Sequence, residues 1–350
     1  MEVNANKTIK IALDAMGGDF APKNEVEGAV LAYEKLSKNA NIEIVFYGDE
    51  KKIRAALAKA GSNNLKYSIV HSDEVVTMHD DPTEIYKTKK DSSLYRSLES
   101  QRKGDCDATV SAGNTGATMA LGTILLGRIR NVSRPTIGSF FPTQTSRPTL
   151  VLDVGANVDS KPRFLYEYGV MGAIYSEHIM GLKSPRVGLL NIGEEPTKGN
   201  AAVREAHELL SASDLNFAGN MEGRDIFSGE FDVVICDGFV GNVILKFAES
   251  FLGLLKTKFK DFASKGIKNK LMVALALPVM KKILKGFDYQ EYGGVPLLGV
   301  NGVVIIGHGK STPLAISNML LRAAEQIEKN INGKIEQALN PGNYSNNEKK

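Results

Sequence analysis

Short, unbroken apolar runs separated by amphipathic stretches organise the chain. Runs over Lys7–Asp14, Ile42–Gly48, Tyr67–His71, Asp107–Ser111, Leu150–Asp153, Arg186–Asn191, Phe231–Asp237 and Val303–Ile306 read as strands. Val233-Val234-Ile235 typifies them: apolar at every position rather than alternating, as in a strand covered on both faces. Helical patterns lie between the runs. Pro22 opens one that reaches about Lys38, Lys51–Ala60 forms another, and others begin at Thr115, Pro162, about Asn200 and Thr312-Pro313. Asp81-Pro82-Thr83-Glu84 supplies a cap residue, a proline at the first helical position and an acid in the first turn, so it predicts a further helix start. Repeated strand–helix units predict an α/β fold, a parallel or mixed sheet doubly wound by helices with right-handed crossovers. One catalytic domain is expected over residues 1–340, followed by a polar, disordered tail over 341–350.

Residues Val243 to Phe287 interrupt the alternation and read as two long helices broken near Gly266. The first places Phe247, Phe251, Leu254, Leu255, Phe259 and Phe262 on one face. The second is apolar nearly all round from Leu271 to Met280. Such a pair either packs in a partner subunit or touches lipid. Charge singles out the same segment. Lys246–Phe287 holds ten lysines, no arginine and only Glu249 and Asp261 as acids, so it carries +8 while the rest of the chain carries −5. The longest apolar run has ten residues with Pro278 inside it. A spanning helix needs about 20, so no membrane crossing is expected. Two cysteines, Cys106 and Cys236, provide no disulfide framework, and Met1–Lys10 has no apolar signal region. Both features predict a cytoplasmic protein.

The candidate chemistry sits in four turns of one design. They are Asp14-Ala15-Met16-Gly17-Gly18, Ser111-Ala112-Gly113-Asn114-Thr115-Gly116, Asp153-Val154-Gly155-Ala156-Asn157 and Asp237-Gly238-Phe239-Val240-Gly241-Asn242. Each follows an apolar strand. Glycine lets the backbone approach a ligand, and free N–H groups at a helix start are ready donors to an anion. In a parallel sheet all four would border one crevice, because ligands bind outside the carboxyl ends of strands. Asp14, Asp153 and Asp237 suit either capping of nearby N–H groups or a divalent metal. Lys198, after the strand Val187–Asn191, and Asn242 are polar groups suited to oxyanion or phosphate contact. His308, between two glycines, is a weaker candidate of the same kind.

Several motifs are missing. Gly309-Lys310-Ser311 ends like a P-loop, but the required first glycine is Val304. There is no G-x-G-x-x-G after the first strand and no G-x-S-x-G. The five histidines show no metal-ligand spacing. Cys236 closes an apolar strand and reads as core rather than nucleophile.

Seven segments resemble the bacterial phosphate acyltransferases of phospholipid synthesis. They are Ile11–Lys23 (IALDAMGGDFAPK), Ser111–Ala117 (SAGNTGA), Leu152–Pro162 (LDVGANVDSKP), Ser184–Glu195 (SPRVGLLNIGEE), Lys198–Asn200 (KGN), Asp237–Lys246 (DGFVGNVILK) and Tyr292–Gly309. The resemblance implies a fold similar to that of isocitrate and isopropylmalate dehydrogenases and of phosphotransacetylases. It implies transfer of a fatty acyl group from acyl carrier protein to inorganic phosphate, giving acyl phosphate, without cofactor, metal or nucleic acid. Residues matching Lys198 and Asn242 are catalytic in that family. Asp14, Gly17, Gly18, Asn114, Thr115, Gly116, Asp153, Asn157, Asp237, Gly241 and His308 are the expected phosphate or substrate contacts. The resemblance also implies a homodimer, peripheral membrane contact through Val243–Phe287, and a membrane acyltransferase that consumes the product. The alternatives are a metal- and NAD-dependent dehydrogenase of the related fold, with the three aspartates as ligands, and a non-catalytic membrane-surface scaffold.

Overall fold

The computed structural model describes residues 8–37, 41–61, 64–145, 147–283 and 293–340. The expected polar tail, the last residues of the expected helical pair and Tyr292 lie outside them. The strands are β1 (Ile9–Asp14), β2 (Ile42–Gly48), β3 (Tyr67–His71), β4 (Ala108–Ser111), β5 (Thr136–Phe141), β6 (Thr149–Leu152), β7 (Val187–Asn191), β8 (Phe217–Glu222), β9 (Val233–Ile235), β10 (Val295–Leu298) and β11 (Val303–Ile306). The helices are α1 (Lys23–Leu36), α2 (Glu50–Ala60), α3 (Ile85–Thr88), α4 (Ser93–Lys103), α5 (Thr115–Leu126), α6 (Pro162–Ile179), α7 (Ala201–Ser211), α8 (Gly238–Ser264), α9 (Ile267–Ile283), α10 (Pro313–Glu328) and α11 (Ile331–Ala338). Every predicted strand is present. The apolar runs form strands because burial on both faces rewards a continuous apolar surface.

All strands among the described residues join one mixed sheet in the order β3-β2-β1-β4-β11-β10-β5-β6-β9-β7-β8. Two parallel blocks, β3-β2-β1-β4-β11 and β6-β9-β7-β8, are joined by β10 and β5. β10 is antiparallel to both β11 and β5, and β5 is antiparallel to β6. Three reversals make the two blocks run in opposite senses. Apolar cores cover the blocks separately. Ile11, Leu13, Phe46, Val110 and Ile305 lie in one, and Leu150, Leu152, Leu189, Val233 and Ile235 in another. A third spans both blocks, with Ala117 and Leu121 of α5, Val151, Val154, Val234 and Val304.

The helix start expected at Pro82 is corrected. The Asp81 carboxylate accepts from Thr83 N and Thr83 Oγ1, both at 2.8 Å, and folds the chain into a local turn. Only the short α3 follows. The longer helix, α4, starts where Ser92 Oγ accepts from Tyr95 N at 3.3 Å.

The helical pair forms as expected, with Gly266 at φ +151° between α8 and α9. Ile244, Leu245 and Ala248 root α8 on the spanning core. Beyond them Phe247, Phe251, Leu254, Leu271 and Leu275 stand exposed. Leu255, Phe259, Met272, Val273 and Ala276 line a groove of about 310 Å³ between the two helices. With 27 residues, α8 has the length and composition of a membrane-crossing helix, a possibility the run lengths alone did not raise.

Candidate functional site

β1 and β4 pair so that Asp14 lies beside Ser111. Ser111 Oγ donates to Asp14 Oδ2 at 2.7 Å and accepts from Gly113 N at 3.1 Å, which ties the two turns together. Met16 N donates to Asp14 Oδ1 at 3.2 Å. Asp14 is 1% exposed, and burial raises its carboxyl above the usual range against the pull of Ser93, Ser111 and the Met16 and Gly17 amides. Gly17 is required by close approach: a Cβ there would lie 2.5 Å from Asp14 Oδ2 and 2.9 Å from Gly113 N. The loop after β11 joins this group, since Asp19 N donates to Gly309 O at 2.7 Å. His308 is exposed in that loop, where Nδ1 accepts from Lys310 N at 3.2 Å.

Asn114 caps α5. Its Oδ1 accepts from Ala117 N at 3.0 Å, and its Nδ2 donates to Thr77 O at 3.1 Å. Thr118 N makes the first hydrogen bond to a main-chain carbonyl within the helix, to Asn114 O at 2.9 Å. The amides of Thr115 and Gly116 therefore precede the helical ladder, and no side chain among the described residues caps them. Thr115 is exposed. These two donors at the positive end of a 12-residue helix are the groups best placed here to meet an anion.

The second block treats its turn differently. Asp153 is fully buried, and its carboxylate accepts from Gly155 N at 3.0 Å and from Ala156 N, Asn157 N and Asn157 Nδ2, each at 2.8 Å. Burial raises its carboxyl while these donors hold it down. Asn157 O accepts from Gly238 N at 2.8 Å, and Asp237 Oδ1 caps α8 through Val240 N at 3.0 Å. A Cβ at Gly241 would overlap Asp153 O, so only glycine lets α8 start this close to β6. Asn242 is exposed on α8 and faces Gly155. Cys236 Sγ lies 3.3 Å from Asp153 O, and burial raises its thiol far above the usual range, as suits a core residue. Lys198 follows β7, exposed, with its main-chain carbonyl held by Asn191 Nδ2 at 3.1 Å and its stem beside Gly193.

The four turns were expected around one crevice of a parallel sheet, and the mixed sheet changes how they are grouped. The turns fall into two groups, because the blocks run in opposite senses. The register brings their ends to nearly one level. Ser111 lies beside Ile306, which faces Val295, while Leu152 faces Gly138, next to Ile137 and its partner Leu297. Both groups also border the spanning core, which holds Ala117 from the first and Val154, Ala156 and Ile244 from the second. The metal reading of the aspartates finds no support: among the described residues no three His, Cys, Asp or Glu side chains converge on an ion site. Two features went unforeseen. Val158 and Ile192, in the loops after β6 and β7, and Phe239, in the first turn of α8, are exposed apolar side chains. Glu25 lies buried behind Gly18.

Comparison with known proteins fits this geometry. Solved structures of similar fold include a phosphotransacetylase from Streptococcus pyogenes, with TM-score 0.62 at 19% identity, covering 92% of this chain and 94% of that one. A phosphotransacetylase from Staphylococcus aureus gives 0.58 at 16% identity, covering 92% and 95%. At these identities they establish the fold alone. The sequence is 45% identical to a phosphate acyltransferase of Halothermothrix orenii over 95% of this chain and 99% of that protein. It is 46% identical to one from Aquifex aeolicus over 93% and 96%. A family model described as fatty acid synthesis protein matches residues 9–334. The chain belongs to the phosphate acyltransferase family of fatty acid synthesis proteins.

Proposed function

We infer that this protein is a single-domain phosphate acyltransferase that moves a fatty acyl group from acyl carrier protein to inorganic phosphate. The observation that carries the reading to particular residues is the pair of uncapped amides, Thr115 and Gly116, at the start of α5. They suit phosphate, with Asn114 holding the turn and Gly17 allowing the first and second turns to touch. Asp14, Gly18 and His308 frame this side.

A phosphate oxygen attacks the thioester carbonyl carbon, and a C–O bond forms. The tetrahedral oxyanion collapses, the C–S bond breaks, and the carrier leaves as thiolate and takes a proton from water. Phosphate is already an anionic nucleophile and a thiolate is a good leaving group, so the protein's task is position and charge compensation. Placing both reactants in near-attack geometry is worth up to roughly 7–11 kcal/mol. Asn242 and Lys198 are assigned to the oxyanion, where one donor is worth about 2.7–4 kcal/mol. Asp153, Asn157, Asp237 and Gly241 set the position of Asn242 through the packing of the β6 turn against α8. Exposed Val158, Ile192 and Phe239 are apolar groups suited to an acyl chain.

The exposed apolar residues of α8 and α9, set among lysines, favour a cytoplasmic enzyme that meets the membrane surface or a second subunit there. From that position it would hand acyl phosphate to a membrane acyltransferase. The same lysines suit docking of the acidic carrier. The framework is also compatible with a dehydrogenase-like relation of fold. The test mixes long-chain acyl carrier protein, phosphate and the enzyme, and traps acyl phosphate with hydroxylamine. Phosphate-dependent hydroxamate is expected. Metal-dependent NADH formation, or no product at all, would overturn the reading in favour of a dehydrogenase or a scaffold.

A further inference from the structure

Glu25 stands in the first turn of α1 and is 1% exposed. Its Oε2 is buried without a hydrogen-bond partner. Its Oε1 occupies the space a Cβ on residue 18 would need, so the carboxyl packs directly on the Gly17-Gly18 turn. The amides of Glu25 itself and Gly18 face it, and the charged groups acting on it, Asp14 and Asp19, are both acids. The loop after β11 packs on α1 through Asn24 Nδ2, which donates to Ser311 O at 2.9 Å, and brings His308 and Lys310. The flanking helices engage their arginines elsewhere: Arg54 of α2 pairs with Glu50, and Arg322 of α10 with Glu325. Among the described residues no ion pair joins Glu25 to a cation. An ionised carboxylate buried without a cation and beside other acids is among the costliest arrangements a fold can hold, so the group keeps its proton.

We propose that Glu25, as an uncharged carboxylic acid, is a positioning residue that braces the Gly17-Gly18 turn, and that ionising it loosens this turn and weakens anion binding at the start of α5. The link runs through Gly17, which abuts Gly113 directly before the Asn114 cap. Burial pushes the Glu25 carboxyl up to about 8, opposed by the Glu25 and Gly18 amides and assisted by Asp14 and Asp19. The native state then holds a proton that the unfolded chain releases near the ordinary carboxylate range. The contribution of Glu25 to stability is therefore fully present below the ordinary carboxylate range and is lost as pH rises to about 8.

The experiment compares wild type with E25Q, which keeps the shape and cannot ionise. Amide exchange at residues 16–20, corrected for intrinsic rates, should accelerate in wild type above about pH 8 and stay slow in E25Q. The wild-type melting temperature should fall relative to E25Q by about 3 °C or more from about pH 6 to pH 8. With the acyl-transfer assay, which rests on the function proposed above, the ratio of wild-type to E25Q kcat/KM for phosphate should drop about tenfold between about pH 7 and pH 9. Taking the ratio cancels the titration of phosphate itself. Equal exchange and equal melting slopes in the two proteins would overturn the proposal, as would a pH-independent kcat/KM ratio in active enzymes. Absence of turnover in both would sink the reaction, while the exchange result would still decide for or against the brace. Should E25Q not fold, infrared titration of wild type decides: a carboxyl C=O band that disappears near pH 8 supports the proposal, and no such band above about pH 6 overturns it.

Discussion

Asp14 and Asp153 each close a buried strand and are each followed within three residues by glycine, one in each block of the sheet. Their surroundings differ. Asp153 draws in the amides of Gly155, Ala156 and Asn157 and the Asn157 side chain, so its turn is saturated from within. Asp14 accepts from Ser111 and Met16, with Ser93 and the Gly17 amide also acting on it, and the helix that follows its partner turn keeps the Thr115 and Gly116 amides outside any side-chain cap. A glycine-rich turn is thus not in itself an anion site. What matters is how many amides remain after its own carboxylate and cap have taken theirs. On the proposed function, the second block stands firm and positions Asn242, and the first receives the anion.

The largest effect should come from breaking the saturated turn. Asp153→Ala leaves three amides and a side-chain donor of a part-buried turn without their acceptor, at about 1 kcal/mol each, since Gly155 is exposed and Ala156 and Asn157 are half-buried. A loss of at least about 3 kcal/mol is expected in urea unfolding. A loss below about 1 kcal/mol would mean that the carboxylate does not organise the turn. Next come the residues that the second block aims. Asn242→Ala and Lys198→Ala should each lower turnover by about 10²–10³-fold while the melting temperature stays near that of wild type, because both side chains are exposed. Near-normal turnover in either would remove that residue from the oxyanion, and near-normal turnover in both would leave the second block without a chemical role.

Much of the framework was legible because fully buried strands are written as continuous apolar runs. Three strands were not: Pro296 lies inside β10, and β5 and β8 break their apolar character at Gly138 and Ser139 and at Gly219 and Asn220. Missing β10 and β5 had consequences beyond the strands themselves. The reversal of the second block depends on Leu297 pairing with Ile137, a contact between distant segments that no local pattern encodes. The turns were therefore recognised while their grouping was not. Glu25 was invisible for a different reason. An acid in the first turn of a helix is ordinary on electrostatic grounds, and only the packing of α1 on Gly18 makes it a buried one. Lys198 and Asn242 stood out as polar groups after strand ends, each alone reading as a surface or capping residue, and the family resemblance raised them to catalytic candidates.

The smallest effect separates the two blocks most cleanly. Asn114→Ala and Asp237→Ala each delete one N-cap hydrogen bond, to Ala117 N and Val240 N respectively. Each should cost about 1 kcal/mol of stability. Their consequences for phosphate should differ. Losing the Asn114 cap frays the start of α5, where the Thr115 and Gly116 amides must point together, so the KM for phosphate should rise several-fold. Losing the Asp237 cap frays the start of α8 and should act on turnover through Asn242, with the KM for phosphate little changed. Matched stability losses with the opposite assignment, phosphate KM responding to Asp237→Ala and not to Asn114→Ala, would move the anion to the second block. The saturated turn would then have to open to receive it.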